Sequence, residues 1–550
     1  MKRVSSSGIE GGIRIVVVAL MILFHLGLVL FLFDKLRDTA VWAYAAVDIL
    51  LVLTMVIIVC RNKNNSYTVA WILLIALFSI VGFAIYVIWG RADTNGLRNR
   101  RIRKSIAHGQ NYLKNQNTFF EKFAVQYPDR RRIPNYLLYR DFPIYQDTSY
   151  IYYPIGELQF EDLIKDLEKA ERFIFLQTFI LSEGKLWDRI EKILVQKAKD
   201  GIDVRLLFDD FGSAATFSLK AALALRKQGV QIVRFNSIHK YTWRLSINFR
   251  SHQKIAVIDG NIAYTGGTNI ADEYVNYYEK HGHWKDTAIR IEGEAVWSMT
   301  VIFLQMWDVE AKVFSEYEKF RPVLSTAANT PDISGKKIIS ASSEVSVDLD
   351  NPDVSVLQSA SNADAGNDVF FQPFSDGPVN NPDNPAEAVY REMITSAQDY
   401  LYITTPYLII DNTMTELLCA TANAGVDVRI ILPRIWDKWY VRDVSRSGYA
   451  ELLKAGVKIY EYIPGFIHSK MVISDDLTAV IGTINMDYRS FYHHFENGVW
   501  ICGADVVMDI KKDMLDTFEK CEEITLTYCS KLPVFHKICG GVLRVFAVVF

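Results

Sequence analysis

Three long apolar runs open the chain, at residues 15–33, 41–60 and 69–90, separated by polar connectors at 34–40 and 61–68. A helix of about 20 residues crosses a hydrocarbon core of about 30 Å, so each run predicts a membrane span. No small-residue cleavage site follows the first run, and further spans come directly after it, so it does not read as a signal peptide. Beyond about residue 110 the pattern becomes that of an α/β protein. Helical periodicity covers 160–170 and 189–200, with strands at 173–181 and 204–208. The run Val204–Phe208 is continuously apolar, as a strand buried on both faces should be. The same order returns about 220 residues later, as helix 388–397, strand 400–403, helix 415–424 and strand 428–432. Gly201-Ile-Asp-Val-Arg-Leu-Leu matches Gly425-Val-Asp-Val-Arg-Ile-Ile, so the chain contains a two-copy repeat. Residues 325–367, rich in Ser, Ala, Asn and Asp, lack periodicity and read as a flexible linker or surface insertion. The pattern divides the chain into a membrane region (1–105), a first half (106–324), the linker (325–367), a second half (368–530) and an amphipathic C-terminal segment (531–550) suited to a membrane surface.

Charge adds orientation. The formal net charge of −3 gives no global attraction to nucleic acid or anionic lipid. The cations are uneven: Arg91, Arg98, Arg100, Arg101, Arg103 and Lys104 follow the third apolar run. With three spans, Lys35 and Arg37 share a side with that cluster, and the positive-inside rule places the large C-terminal region in the cytoplasm. Asp48, inside the second run, is either a functional group or an inward helix–helix contact. The six cysteines form no CxxC pair and read as free thiols.

The chemistry lies at corresponding places in the two copies. The first reads Ser251-His252-Gln253-Lys254, four residues, Asp259, six residues, then Gly266-Gly-Thr-Asn269. The second reads His468-Ser469-Lys470, four residues, Asp475, six residues, then Gly482-Thr-Ile-Asn485. HxKx4Dx6GxxN therefore occurs twice with identical spacing. On a strand, residues i and i+2 face the same way, so His252 would project with Lys254, and His468 with Lys470. Together the halves would make one site holding two imidazoles, two ammonium groups and the carboxamides of Asn269 and Asn485. That set suits a phosphodiester. Lysines and asparagines stabilise the non-bridging oxygens, one imidazole attacks phosphorus, and the other protonates the departing alkoxide. Each copy has a later acid, Asp286 and Glu496, able either to fix a histidine tautomer or to serve a salt bridge elsewhere in the sheet. Asp259 and Asp475, at strand ends, read as more structural than chemical. No carboxylate or thiol cluster suits a divalent ion, so the expected reaction needs neither metal nor cofactor. His281 and His283 form an HxH pair of a kind that can bind metal, but a surface loop is the expected reading.

These residues resemble the phospholipase D superfamily and, within it, the bacterial cardiolipin synthases. The resemblance runs through Phe249-Arg-Ser-His252-Gln-Lys254, Gly266-Gly-Thr-Asn269, Thr405-Pro-Tyr407, Gly465-Phe-Ile-His468-Ser-Lys470 and Asn485-Met-Asp-Tyr-Arg-Ser490, and covers nearly the whole chain. It implies two pseudo-symmetric αβ halves, preceded by transmembrane helices, with the site at their junction. It also implies a multi-pass protein of the bacterial inner membrane. The implied reaction is ping-pong: two phosphatidylglycerols give cardiolipin and glycerol through a phosphohistidine, with His252 as nucleophile and His468 as acid and base. The catalytic set implied is His252, Lys254 and Asp259 with His468, Lys470 and Asp475, supported by Asn269, Asn485, Asp286 and Glu496. Phe175-Leu-Gln177 departs from the Glu-Tyr common in similar proteins, and 325–367 is longer than usual. The same site would serve a phospholipase D or a phosphatidylserine synthase, which differ only in the acceptor: water, serine or a lipid hydroxyl. A nuclease would need a basic track with stacking aromatics; the near-neutral charge argues against one, and the basic cluster at 98–104 more simply marks the cytoplasmic interface, so no nucleic-acid partner is expected.

Overall fold

The computed structural model describes residues 41–61, 65–87, 97–114, 119–237, 249–323, 369–381 and 383–546. The expected first span and the linker at 325–367 lie outside them. The second apolar run is the helix Val41–Arg61 and the third is Asn65–Ile85. The stretch Tyr67–Ile85 has the length and composition to cross a membrane, whereas the apolar part of the other helix, Ala46–Cys60, is shorter.

The remainder is built on two sheets of matching strand order. From edge to edge the first runs Thr148–Tyr153, Ala288–Gly293, Ile262–Gly266, Ile255–Ile258, Phe173–Thr178, Asp203–Asp209 and Gln231–Phe235. The second runs Phe370–Asp376, His494–Cys502, Thr478–Gly482, Met471–Ser474, Tyr400–Thr404, Asp427–Pro433 and Lys458–Tyr462, then adds Cys521–Ile524 as an extra edge. Helices predicted from periodicity appear as Gly156–Lys169, Lys185–Lys199, Pro385–Ser396 and Asn412–Asn423, each starting a few residues earlier than expected. The early starts have local causes. Pro385 occupies the first turn, where its missing N–H costs nothing, and Asp411 caps the backbone N–H of Met414.

Period-2 alternation explains why these strands are apolar throughout. In Phe173–Thr178, Ile174 and Leu176 pack beneath the helices Gly156–Lys169 and Lys185–Lys199. Phe173 and Phe175 point the other way, into a core shared with the second half that includes Phe371, Ile403 and Trp500. The helix Val296–Ala311 runs within this shared core and is buried on nearly every side, so it has no amphipathic stripe. Two halves sharing one core are held at a fixed angle, a precondition for a site assembled across their seam.

Two helices connect this body to the apolar segment. Leu97–Gln110 lies against Val296–Ala311 through Asn99, Ile102, Ser105 and Gly109, and leaves Arg100, Arg101 and Lys104 exposed. The C-terminal segment forms a helix, Val534–Phe546, which packs on Trp439–Ser447 and also touches Asn65–Ile85. Val534, Phe535, Ile538 and Val542 on it are exposed.

Candidate active site

The strand expectation for the two HxK segments is corrected in one respect. His252 to Lys254 and His468 to Lys470 are not in regular strand; each is a connection between two strands belonging to different sheets. Arg250–Ser251 pairs in parallel with His494–Phe495 of the second half, and after Lys254 the chain enters its own sheet as Ile255–Ile258. Gly465–Ile467 likewise pairs with His283–Lys285 of the first half before Met471–Ser474 rejoins its own sheet. His283 is thus part of the seam rather than of a surface loop.

This exchange of short strands decides which acid meets which histidine. The backbone N–H of His252 donates to Phe495 O at 2.8 Å, and that of His468 donates to Lys285 O at 2.7 Å. One residue beyond each acceptor stands an acid. His252 Nδ1 donates to the Glu496 carboxylate at 2.9 Å, and His468 Nδ1 donates to Asp286 Oδ2 at 2.6 Å. Each half therefore supplies the carboxylate for the other half's imidazole. When the acid is ionised it can only accept, so each Nδ1 then carries the proton and each Nε2 keeps its lone pair.

The lysines complete the frame. Lys254 Nζ donates to His252 O at 2.7 Å, and Lys470 Nζ makes the matching bond to His468 O. All four side chains are buried. Burial lowers the Lys254 pKa to about 7 and that of Lys470 to about 8. Desolvation first, then the charges of both lysines, hold His252 and His468 well below the usual imidazole range. Burial pushes Asp286 up to about 7, against the pull of Lys470. Burial in the empty site thus disfavours charge on the two lysines, the two imidazoles and Asp286, and an entering phosphodiester anion would restore the ammonium and imidazolium forms.

The supporting asparagines differ. Asn269 is committed to the fold: its Oδ1 accepts from Ile180 N at 3.0 Å and its Nδ2 donates to Tyr274 Oη at 2.6 Å. Among the described residues, the Asn485 side chain is held only by a long contact of 3.4 Å to Asp487, and its buried Oδ1 has no partner. Asp259 and Asp475 stay away from the chemistry. Asp259 accepts backbone N–H bonds from Glu171, Arg172 and Phe173, at the start of the neighbouring strand. Asp475 does the same for Gln398, Asp399 and Tyr400, and pairs with Arg130 at 2.6 Å. Both sit at φ near +55° (54° and 56°) in the tight turn of a hairpin, a conformation that Asp tolerates better than most residues. Gln177 donates to Ser251 and Gln253 at 2.8 Å, which fixes the backbone leading into the first motif.

One neighbour was not visible in the motif pattern. The ring of His494 lies 5.3 Å from that of His252, and burial lowers its pKa to about 3. Its place in the register, two residues before Glu496, corresponds to that of Trp284 before Asp286; the signal was the spacing to the acid, which the HxK words do not include.

The family model for the cardiolipin synthase, phospholipase D-like domain matches residues 163–307 and 390–520, which takes in both motifs and both acids. The chain belongs to this family. A second model, the phospholipase D-nuclease N-terminal region, matches residues 40–91. Among its relatives are an uncharacterised protein of Streptococcus mutans, 37% identical over 89% of this chain and 98% of that one. The cardiolipin synthase of Geobacillus kaustophilus is 32% identical over 89% and 90%. The cardiolipin synthase of Alkalihalophilus pseudofirmus is 30% identical over 92% and 93%. Among solved structures, the phosphatidylserine synthase of Haemophilus influenzae aligns with a TM-score of 0.54 at 15% identity, covering 76% of this chain and 97% of that one, and shares the fold.

Proposed function

We propose that this chain is a cardiolipin synthase that transfers a phosphatidyl group from one phosphatidylglycerol to a hydroxyl of another, releasing glycerol. The observation that carries the mechanism is the crossed pairing of His252 with Glu496 and of His468 with Asp286. Each carboxylate holds a proton on Nδ1, leaving two Nε2 atoms for phosphorus and for the leaving oxygen. His252 attacks phosphorus, forming a P–N bond, while His468, made imidazolium as the phosphodiester anion enters, gives its Nε2 proton to the departing glycerol alkoxide and returns to the neutral ring. His468 then takes the proton from the acceptor hydroxyl, whose oxygen attacks phosphorus and breaks the P–N bond. Lys254, Lys470 and Asn485 face the charge that builds on the non-bridging oxygens.

The acceptor reading favours a lipid. The helices at 41–85, the exposed apolar face of Val534–Phe546 and the exposed Trp439 and Tyr440 beside it support seating on a bilayer. In this reading the chain is a multi-pass protein of the bacterial cell membrane, its catalytic halves on the cytoplasmic side and its substrates drawn from the lipid phase. A phosphatidylserine-forming or hydrolytic enzyme would share the site, so the acceptor is the discriminating measurement. Purified chain in liposomes containing phosphatidylglycerol, with chelator present, is expected to release glycerol and form cardiolipin. Both products should fall on the order of 10³-fold or more in His252→Ala and in His468→Ala. Release of phosphatidic acid without cardiolipin would replace the transferase reading by a hydrolytic one.

A further inference from the structure

The second imidazole beside His252 suggests a use that the transfer reaction does not require. His252, His494 and Glu496 are all buried, and one ligand atom from each lies within 4.8 Å of the others. Glu496 is central: its Oε2 is 2.9 Å from His252 Nδ1 and its Oε1 is 3.5 Å from His494 Nδ1. Among the described residues, the enclosed Nδ1 of His494 has no partner within good hydrogen-bond geometry, its nearest being Glu496 at 3.5 Å, and a buried site would normally satisfy it. Two imidazole nitrogens and one carboxylate are a three-ligand set for a tetrahedral ion. With bonds of roughly 2.0–2.2 Å, they leave a fourth position for water or an anion.

We propose that His252, His494 and Glu496 form an inhibitory site for a borderline divalent transition-metal ion, with Zn²⁺ the fitting ion. Nitrogen donors favour this class over Mg²⁺ and Ca²⁺, which take oxygen ligands. Inhibition follows from the tautomer. Metal on His252 Nδ1 requires the lone pair of that nitrogen, so the Nδ1 proton moves to Nε2. The atom that would face phosphorus then has no lone pair to donate. Glu496 is at the same time withdrawn from orienting the ring. The binding claim stands on geometry alone; the inhibition claim rests on His252 being the nucleophile.

The two claims separate experimentally. In metal-stripped, detergent-solubilised full-length chain, Co²⁺ titration should give one visible absorption band of tetrahedral intensity per chain, displaced by Zn²⁺ and unaffected by Mg²⁺. His494→Asn and Glu496→Gln should each weaken that binding tenfold or more, while His281→Ala/His283→Ala leaves it unchanged. A melting temperature unaltered in His494→Asn would exclude misfolding as the cause. If His494→Asn unfolds, Co²⁺-induced protection of His494 and His252 from diethyl pyrocarbonate in the unaltered chain reads the same contact. No band in the unaltered chain, or a band that survives intact in a folded His494→Asn, overturns the site. Zn²⁺ should also suppress glycerol release, reversibly by chelator, with the half-inhibiting concentration at least tenfold higher in His494→Asn. Binding without inhibition would overturn the inhibitory role and leave the site.

Discussion

The half-site around His252 and the half-site around His468 share one skeleton and differ in its walls. Each has an imidazole, a lysine bonded to the imidazole's own carbonyl, and an acid from the opposite half. Around His468 the neighbours are aromatic: Trp284 at 5.4 Å, Tyr274 at 5.5 Å and Phe466 at 5.8 Å between ring centres. Around His252 the position of Trp284 is taken by His494, with Phe179 at 5.1 Å. The acids are also held differently. Thr483 donates its hydroxyl to Glu496, whereas at the corresponding Gly267 the Asp286 carboxylate itself fills the place that a Cβ would take. Duplication has therefore kept the imidazoles, the lysines and the crossed acids and let the surroundings diverge. The difference bears on charge: an apolar cage lets His468 and Asp286 hold one proton between them, while Glu496 is supplied with two further polar neighbours.

The strongest way to break this comparison is to remove the acids one at a time. Glu496→Gln and Asp286→Asn should each lower kcat on the order of 10³–10⁴-fold, because a carboxamide can impose the wrong tautomer. They should differ when the leaving group needs no proton, as in a p-nitrophenyl phosphodiester. There Asp286→Asn should accumulate the phosphohistidine and Glu496→Gln should not, as read by acid-quenched labelling. Equal behaviour of the two variants would refute the division of labour.

A smaller effect is expected from pH. With Lys254 near 7 and Lys470 near 8 in the free site, kcat/KM should fall on the alkaline side as the ammoniums lose protons, by roughly tenfold per unit between the two values and roughly a hundredfold per unit above both. Lys470→Arg should remove only the steeper part of the fall above about 8 and leave the onset set by Lys254. Stability should run the opposite way. A lysine whose folded pKa lies below its unfolded value of about 10.5 costs stability fully below the folded value. That cost fades as pH rises from about 7 toward 10.5, so the melting temperature of the ligand-free chain should gain a favourable contribution over this window.

The smallest catalytic effect should come from Asp259 and Asp475. Their carboxylates hold strand starts, so Asp259→Ala should lower stability by about 1–3 kcal/mol, with kcat of the folded fraction changed less than about threefold. Asp475→Ala should cost more, since it also strands Arg130. A large loss of kcat with unaltered melting would return these residues to the chemistry.

Much of this was legible from the chain. Alternation and period-3.6 patterns located the central strands and helices of both halves to within a few residues, because those elements bury their faces in ways the local sequence must encode. The repeated HxKx4Dx6GxxN located both histidines, and spacing alone set Asp259 and Asp475 at strand ends. What tertiary structure alone decided is the crossing. Arg250–Ser251 and Gly465–Ile467 are too short to read as strands, and their partners lie more than 180 residues away in sequence (Gly465↔His283, His494↔Arg250). No local pattern records a parallel pairing between two halves, so neither the crossed acids nor the meeting of His494 with His252 could be read along the chain. Sequence determined which groups the site contains; the shared core and exchanged strands determined which of them touch.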